Sequence, residues 1–448
     1  MQPLHCPGPI SRRQLLQVGG LALGGMTLGD VLAAQQANGE AGNDRAVILL
    51  WLYGGPSQLE TYDLKPLAPS EYRSVFGPIS TNVPGIEICE LFPLQAALAD
   101  KFSLIRSLHH SMSSHSDGHI EVLTGKGPSR PDPGSNNHSE HPDFGMIASK
   151  LLGTRRRGMP PYIGLPHPPL YTQPTYLGVE HKPFAGASGS FARPGELDDE
   201  RLAERRGLTR RLDRFQAALD LRGNMGAAEK FREQAFDMLA NPRIAAAFNL
   251  ELEDTALRDR YGRHRWGASC LQARRLAEAG SAVVTVVFDT PDDGEQFTNW
   301  DDHGANAGRP GHFANYVRVR LPYMDQALSA LIEDIYARAL DERIMVVVMG
   351  EFGRTPRISY YLPKDAHGRD HWPDAATALI SGGGLRMGQV VGATNAKAEY
   401  PTVRPYTPQD VLATIYRHLG IDYKTAFNDF FGRPVPILSN GAPIRELI

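Results

Sequence analysis

The chain has 448 residues, 42% of them hydrophobic, enough to bury a large core in one α/β domain with insertions or in two domains. Its 47 basic and 50 acidic residues nearly cancel, to a net charge of −3, which argues against a general nucleic-acid binder. Three cysteines make no disulfide scaffold: Cys6 lies in the leader described next, leaving Cys89 and Cys270 as the one possible internal pair.

The first element is an export signal over residues 1–34. Ser11-Arg12-Arg13 supplies a basic pair, Leu15 to Leu28 an apolar run, and Val31-Leu32-Ala33-Ala34 the small residues at which a peptidase cuts. Four glycines within it and Gly29 after it make the apolar run short and mildly hydrophobic, below the roughly 20 residues of a membrane span, which suits twin-arginine export better than an anchor. The expected location is periplasmic or extracellular, with no membrane attachment after cleavage and no later run long enough to span a bilayer.

Residues 45–448 are expected to form the mature domain. Ala46–Leu52, Ala282–Phe288, Ile344–Met349 and Thr377–Ser381 are short runs rich in Val, Ile and Leu, the pattern of buried parallel strands. Between them, Leu321–Leu340 repeats apolar residues at helical spacing, so the fold class is α/β: a wound, mostly parallel sheet flanked by helices. The stretch 195–280, rich in Arg, Glu, Ala and Leu without a strand-like run, predicts a helical insertion, and 126–173, dense in Pro, Gly, Asn and His, a long loop region. A last helix is expected at Pro408–Leu419, with Thr407 as its cap, Pro408 in its first turn and Gly420 as terminator.

Ligands of open α/β sheets gather beyond the carboxyl ends of the strands, so the residues following each strand matter most. After the first come Tyr53-Gly54-Gly55-Pro56-Ser57, and after the second Trp300-Asp301-Asp302-His303. Asp301 and His303, an acid two residues from an imidazole, can share one cation. The third strand leads into Gly350-Glu351-Phe352-Gly353-Arg354, and His371 precedes the fourth. If Ser114 caps a helix through Leu123, His115 and His119 lie four apart on one face at its start, where an anion is also favoured. Together these side chains, arriving on one expected edge, favour a shared site, and the His115/His119 spacing can itself bind a metal. Candidate catalytic residues are His115, His119, Ser57 and Arg354. No Gly-rich fingerprint for a nicotinamide or flavin follows a strand in the required form.

Residues 54–66 (Gly-Gly-Pro-Ser-Gln-Leu-Glu-Thr-Tyr-Asp-Leu-Lys-Pro), 123–126 (Leu-Thr-Gly-Lys), 300–303 (Trp-Asp-Asp-His), 350–356 (Gly-Glu-Phe-Gly-Arg-Thr-Pro), 368–373 (Gly-Arg-Asp-His-Trp-Pro) and 390–394 (Val-Val-Gly-Ala-Thr) resemble, in order, a large bacterial family of twin-arginine-exported proteins catalogued as a domain of unknown function. That family in turn resembles the alkaline phosphatase and sulfatase superfamily. The resemblance implies a sulfatase-like fold and one or two metals cleaving phosphate or sulfate esters. It matches Asp301 and His303 to a metal-binding pair, Glu351 to an Asp after a strand and His371 to a late metal-binding His. Three departures stand beside it. The sulfatase motif C-x-P-S-R-x-x-L-L-T-G-R places its formylglycine-forming Cys nine residues before the Thr, and counting back from Thr124 reaches His115. Gly54-Gly55 stands where an acidic pair is expected, and Phe352 where a His or Asn often lies.

The expectation is an exported hydrolase of phosphate or sulfate esters that lacks the formylglycine nucleophile and uses a divalent cation such as zinc, manganese, calcium or iron. Ser57, Ser114, Ser116 or a metal-generated hydroxide remain open as nucleophile, His115 or His119 as general acid, and Arg354 as clamp on the anionic group. The alternative is a non-catalytic sulfatase-like protein that grips a sulfated or phosphorylated glycan. A third reading is an exported structural protein whose histidines hold a stabilising metal. In the first two the partner is an anionic small molecule or glycan ester; no oligomeric state is implied.

Overall fold

The computed structural model describes residues 44–186, 200–208, 225–291, 299–304, 312–361 and 366–448. The proposed signal and part of the proposed helical insertion lie outside the described residues. Arg45–Ile448 form one compact unit. The elements that place the site are, in chain order, β1 (Ala46–Trp51), β2 (Phe102–Leu108), α1 (His115–Thr124), α2 (Phe144–Leu152), β3 (Tyr162–Leu165), β4 (Phe184–Ala185), α3 (Arg265–Glu278), β5 (Val283–Val287), α4 (Phe313–Ala337), β6 (Ile344–Met349), β7 (Gly353–Arg354), β8 (His371–Trp372), β9 (Ala376–Gly382), β10 (Val390–Val391) and α5 (Pro408–His418).

An eight-stranded sheet runs in the order β10-β2-β9-β6-β1-β5-β3-β4. β1 lies at its centre, parallel to β5 and β6, and every residue from Ala46 to Trp51 is buried. The two faces of that strand feed two separate cores. Ala46, Ile48 and Leu50 pack in one with Leu276 of α3 and Leu328 of α4, and Val47, Leu49 and Trp51 in the other with Met146 of α2 and Ile415 of α5. Burial on both faces is why these runs are continuously apolar and do not alternate.

One strand corrects the expectation. The run at Thr377–Ser381 belongs to β9, which is antiparallel to both β6 and β2. A strand buried on both faces carries the same apolar pattern in either direction, and direction is set by the connection. After β6 the chain folds β7 against β8 at the carboxyl edge and enters β9 from that edge. The region 126–173 also holds more structure than a loop, since α2 and β3 lie within it. Helix α4 starts eight residues before Leu321, behind an N-cap by His312, and continues through Pro322. Described parts of 195–280 are helical, including Met225–Ala240, Pro242–Phe248 and Thr255–Tyr261, and α3 packs directly on β1 and β5. Thr407 and Asp410 form a capping box at α5. Cys89 and Cys270 are both buried as free thiols.

The buried end of α5 makes stability depend on pH. His418 is 3% exposed, its Nε2 lies 3.1 Å from the Ala46 carbonyl oxygen, and burial pushes its pKa down to about 4. A folded value below the ordinary 6.5 means that only the unfolded chain takes up this proton between the two. The stabilisation is therefore complete above pH 6.5 and lost as the pH falls toward 4. From pH 7 to pH 5 this residue is expected to account for roughly 1–2 kcal/mol of lost stability in denaturant titrations. A His418→Gln variant should show a correspondingly shallower pH dependence; an unchanged slope would refute the assignment.

Candidate metal centre

The side chains that follow β1, β2, β5 and β6, together with one that precedes β9, meet at the carboxyl edge of the sheet. An antiparallel strand begins where its parallel neighbours end, so His371 reaches the edge from which Asp301 and Glu351 project. The turn after β1 makes room for them. Gly54 and Gly55 have φ of +116° and +82°, and a Cβ on Gly54 would lie 2.5 Å from the Asp301 nitrogen and one on Gly55 2.5 Å from the Phe352 ring. Only glycine permits this backbone and this approach.

The loop carrying Asp301 and His303 is pinned from below. Trp300 stacks on Trp266 and donates from Nε1 to the Phe288 carbonyl oxygen at 2.9 Å, while Arg320 lies over the Trp300 ring and pairs with Asp302. Asp302 is thus a structural acid, not a ligand. The loop carrying His371 is fixed by Arg369, which is fully buried, pairs with Glu60 at 3.0 Å and donates to the carbonyls of Thr355, Pro356, Tyr72 and Arg73.

Asp301 is the hub. Its Oδ1 lies 2.9 Å from His303 Nε2, 3.1 Å from His371 Nε2 and 2.7 Å from an Arg354 nitrogen, and its Oδ2 3.2 Å from His115 Nε2. His115 Nδ1 is 2.9 Å from Glu351 Oε1, which also accepts from the Gly54 N–H at 2.8 Å. Burial alone would raise the Asp301 pKa, but the hydrogen bonds from His115, His303 and His371 and the Arg354 charge outweigh it and hold the carboxyl far below its usual range. For His115, burial works against protonation and is outweighed by Asp301 and Glu351, so the pKa is pushed up to about 9. His303 is raised by Asp301 and Asp370 against the effect of burial, and His371 is lowered, chiefly by burial.

The donor inventory shows what the cluster requires. His303 Nδ1 lies 2.7 Å from Asp370 Oδ1, and His371 Nδ1 lies 2.6 Å from the Ser113 carbonyl oxygen. Both partners only accept, so both Nδ1 atoms carry a proton. Those two Nε2 atoms are 3.0 Å apart with Asp301 Oδ1 against each. With both imidazoles neutral, two Nε2 lone pairs and Asp301 Oδ1 converge on one point, and a cation must lie there: a proton on one of the rings, as the raised His303 pKa favours, or a metal ion. Among the described residues the buried Glu351 Oε2 has no hydrogen-bond partner, a second sign of an unsatisfied anionic pocket. His115, Asp301 and His371 each offer an atom within 4.8 Å of the others. Two or three imidazoles with one or two carboxylates is a donor set that suits zinc, manganese or iron.

The structure brings together His115, Asp301, His303, Glu351, His371 and Arg354 and leaves two candidates apart. Ser57 donates to Glu60, in the network that holds Arg369, and none of its contacts among the described residues reaches the cluster. His119 sits one helical turn below His115, 1% exposed, against Trp51, Tyr53 and Tyr171, with its pKa pushed down to about 4 by burial. Arg354 differs from the expected anion clamp. Fully buried, it donates to the carbonyls of Gly54, Gly55 and Arg369 as well as to Asp301, so its fork faces protein.

Asp370, beside His371, belongs to the site although no spacing in the sequence marks it. Held by Ser359 Oγ at 2.7 Å, it fixes the His303 tautomer. Such carboxylate–imidazole pairs tune metal affinity, so Asp370→Asn is expected to weaken metal binding about 10–100-fold in a competition titration with a chromophoric chelator. An unaltered affinity would remove Asp370 from the centre.

The chain belongs to the family described as "Protein of unknown function (DUF1501)", whose model matches residues 44–448. No curated protein matches it in sequence. Among solved structures it is similar to the PsFucS1 sulfatase from Pseudoalteromonas sp. (13% identity, 95% of this chain and 74% of that one, TM-score 0.41). It is also similar to the phosphonate monoester hydrolase SpPMH from Silicibacter pomeroyi (12%, 90% and 78%, TM-score 0.37) and to the C-terminal periplasmic domain of EcEptC from Escherichia coli in complex with Zn (14%, 86% and 85%, TM-score 0.36).

Proposed function

We propose that this family member is an exported, metal-dependent hydrolase of phosphate or sulfate esters that works without a formylglycine nucleophile. The observation that carries the reading is the convergence of Asp301 Oδ1, His303 Nε2 and His371 Nε2, with the Nδ1 atoms of both imidazoles held by acceptors outside that point. Asp301, His303 and His371 would hold a divalent cation, with Glu351 and His115 beside it. When bound there, such a cation supplies Lewis acidity toward an ester oxygen and lowers the pKa of a water toward neutrality. His115 stands at the first position of α1, whose N-terminus favours an anion, and it can pass a proton at Nε2 to a leaving oxygen. Among the described residues no helix is long and apolar enough to cross a membrane, which suits a protein released after export.

The test is metal analysis of the exported protein by plasma mass spectrometry, with a screen of aryl phosphates and sulfates before and after chelation. One or two equivalents of metal, and hydrolysis lost on chelation and restored by one cation, is the expected result. A protein that neither retains metal nor hydrolyses any ester would overturn the reading. Retained metal with tight binding of an anionic glycan and no turnover would establish the second reading, a sulfatase-like binding protein. One observation favours that alternative: the Arg354 fork, expected to grip the anion, is taken up by the protein's own carbonyls and Asp301.

A further inference from the structure

A cavity of about 540 Å³ lies behind β7 and β8, lined by Tyr72, Trp372, Tyr360, Arg357 and the Thr355 and Ser359 side of the same loop. Its size falls in the range of small-ligand sites, roughly 300–1,000 Å³. The wall nearest the metal centre is shared with it: Thr355 Oγ1 accepts from the Asp370 N–H at 2.9 Å, and Ser359 Oγ donates to the Asp370 carboxylate that orients His303.

Tyr360 is 63% exposed, and the half-buried Tyr72 and Trp372 complete three aromatic groups around one space. Trp372 is held in place by its Nε1 bond to the Glu399 carbonyl at 2.7 Å. Two cations belong to the same surface. Arg357 is exposed and forms no ion pair among the described residues, and Lys397, also without one, places its Nζ 4.3 Å from the centre of the Tyr72 ring. The one acid of the lining, Glu399, has its carboxylate engaged by Asn395 at 2.7 Å. Exposed aromatic faces stack on the weakly electropositive C–H face of a pyranose, and a guanidinium matches a carboxylate or sulfate.

We propose that this cavity binds an anionic sugar unit, a uronate or sulfated pyranose. Resting on the hydrolase reading, it is the subsite for the non-reacting neighbour of the ester that the metal centre cleaves. The substrate is then an anionic polysaccharide, held by at least two units.

The experiment is calorimetric titration of the whole exported protein, with a chelator present so that the metal centre does not contribute. The probes are a heparin-derived disaccharide and its desulfated, carboxyl-reduced analogue. Arg357→Gln is expected to weaken the anionic disaccharide about tenfold and leave the neutral one unchanged, while Tyr360→Ala weakens both about tenfold. Both positions are exposed, and circular dichroism checks that each variant folds. The inference is overturned if the parent binds neither probe, if both variants bind like the parent, or if a thymidine oligonucleotide binds as well as the disaccharide. Binding that survives in Asp301→Ala while hydrolysis is lost supports both readings; binding with no hydrolysis in the parent upholds the subsite and removes only the hydrolase.

Discussion

Asp301→Ala is expected to empty the metal centre and reduce ester hydrolysis by roughly 10³-fold, a barrier increase of about 4 kcal/mol. No other side chain in the cluster has as many partners: three imidazoles and a guanidinium converge on one carboxylate. Removing it deletes the one anion that, among the described residues, the His303 and His371 ring nitrogens share. Asp301→Asn separates charge from shape, because the amide keeps one oxygen where Oδ1 stands but cannot neutralise a cation. It should retain metal more weakly than the parent and more strongly than the alanine variant. Asp302→Asn is the matched control. The neighbouring acid pairs with Arg320 and, among the described residues, with no imidazole, so its loss should lower stability and leave metal content per folded molecule unchanged. Metal content and rate that stay at parental values in Asp301→Ala would remove the cluster from the chemistry.

Much of this arrangement was legible in the sequence because the strands that carry it are buried on both faces. β1 and β6 announce themselves as unbroken apolar runs and β5 as one broken only by Thr285, and the residues after them can be read as one edge. β2 and β3 are illegible for a physical reason. Phe102–Leu108 is broken by Ser103, Arg106 and Ser107, and Tyr162–Leu165 is four residues long with a glycine inside. The direction of β9 was illegible, since double burial erases the alternation that would mark its faces, yet His371 still arrives at the right edge because a reversed strand starts there.

Side-chain roles were less legible than positions. A serine after a strand looks the same to the reader whether it faces a ligand or, like Ser57, serves a buried Glu60–Arg369 pair. His115 and His119 share a helix face, but one turn of α1 carries His119 from the cluster into the aromatic layer of Trp51, Tyr53 and Tyr171. Asp370 lay next to a proposed ligand without spacing of its own to mark it. Only the hydrogen bond to His303 Nδ1 reveals what it does.

Arg354 carries the second large effect, and it is on stability. If the guanidinium gripped substrate, Arg354→Gln would raise KM and leave the fold intact. The structure gives it other work. It joins the Gly54-Gly55 turn after β1 to Asp301 and to the Arg369 carbonyl, while its own backbone is bracketed by Gln58, whose Oε1 accepts from the Arg354 N–H at 2.8 Å and whose Nε2 donates to its carbonyl at 2.9 Å. Truncation strands three buried carbonyls and a carboxylate together. Breaking a buried charge pair by removing one partner destabilises by about 3–5 kcal/mol, and Arg354→Ala is expected to fall in that range in denaturant unfolding. Arg354→Lys should recover little, because an ammonium is a point charge and cannot span the carbonyls that the planar fork reaches. The same variants should bind metal poorly even where they remain folded, since Asp301 and the Gly54 N–H that steadies Glu351 both lose their anchor. A variant within 1 kcal/mol of the parent that shows only a raised KM would return Arg354 to the role of anion clamp.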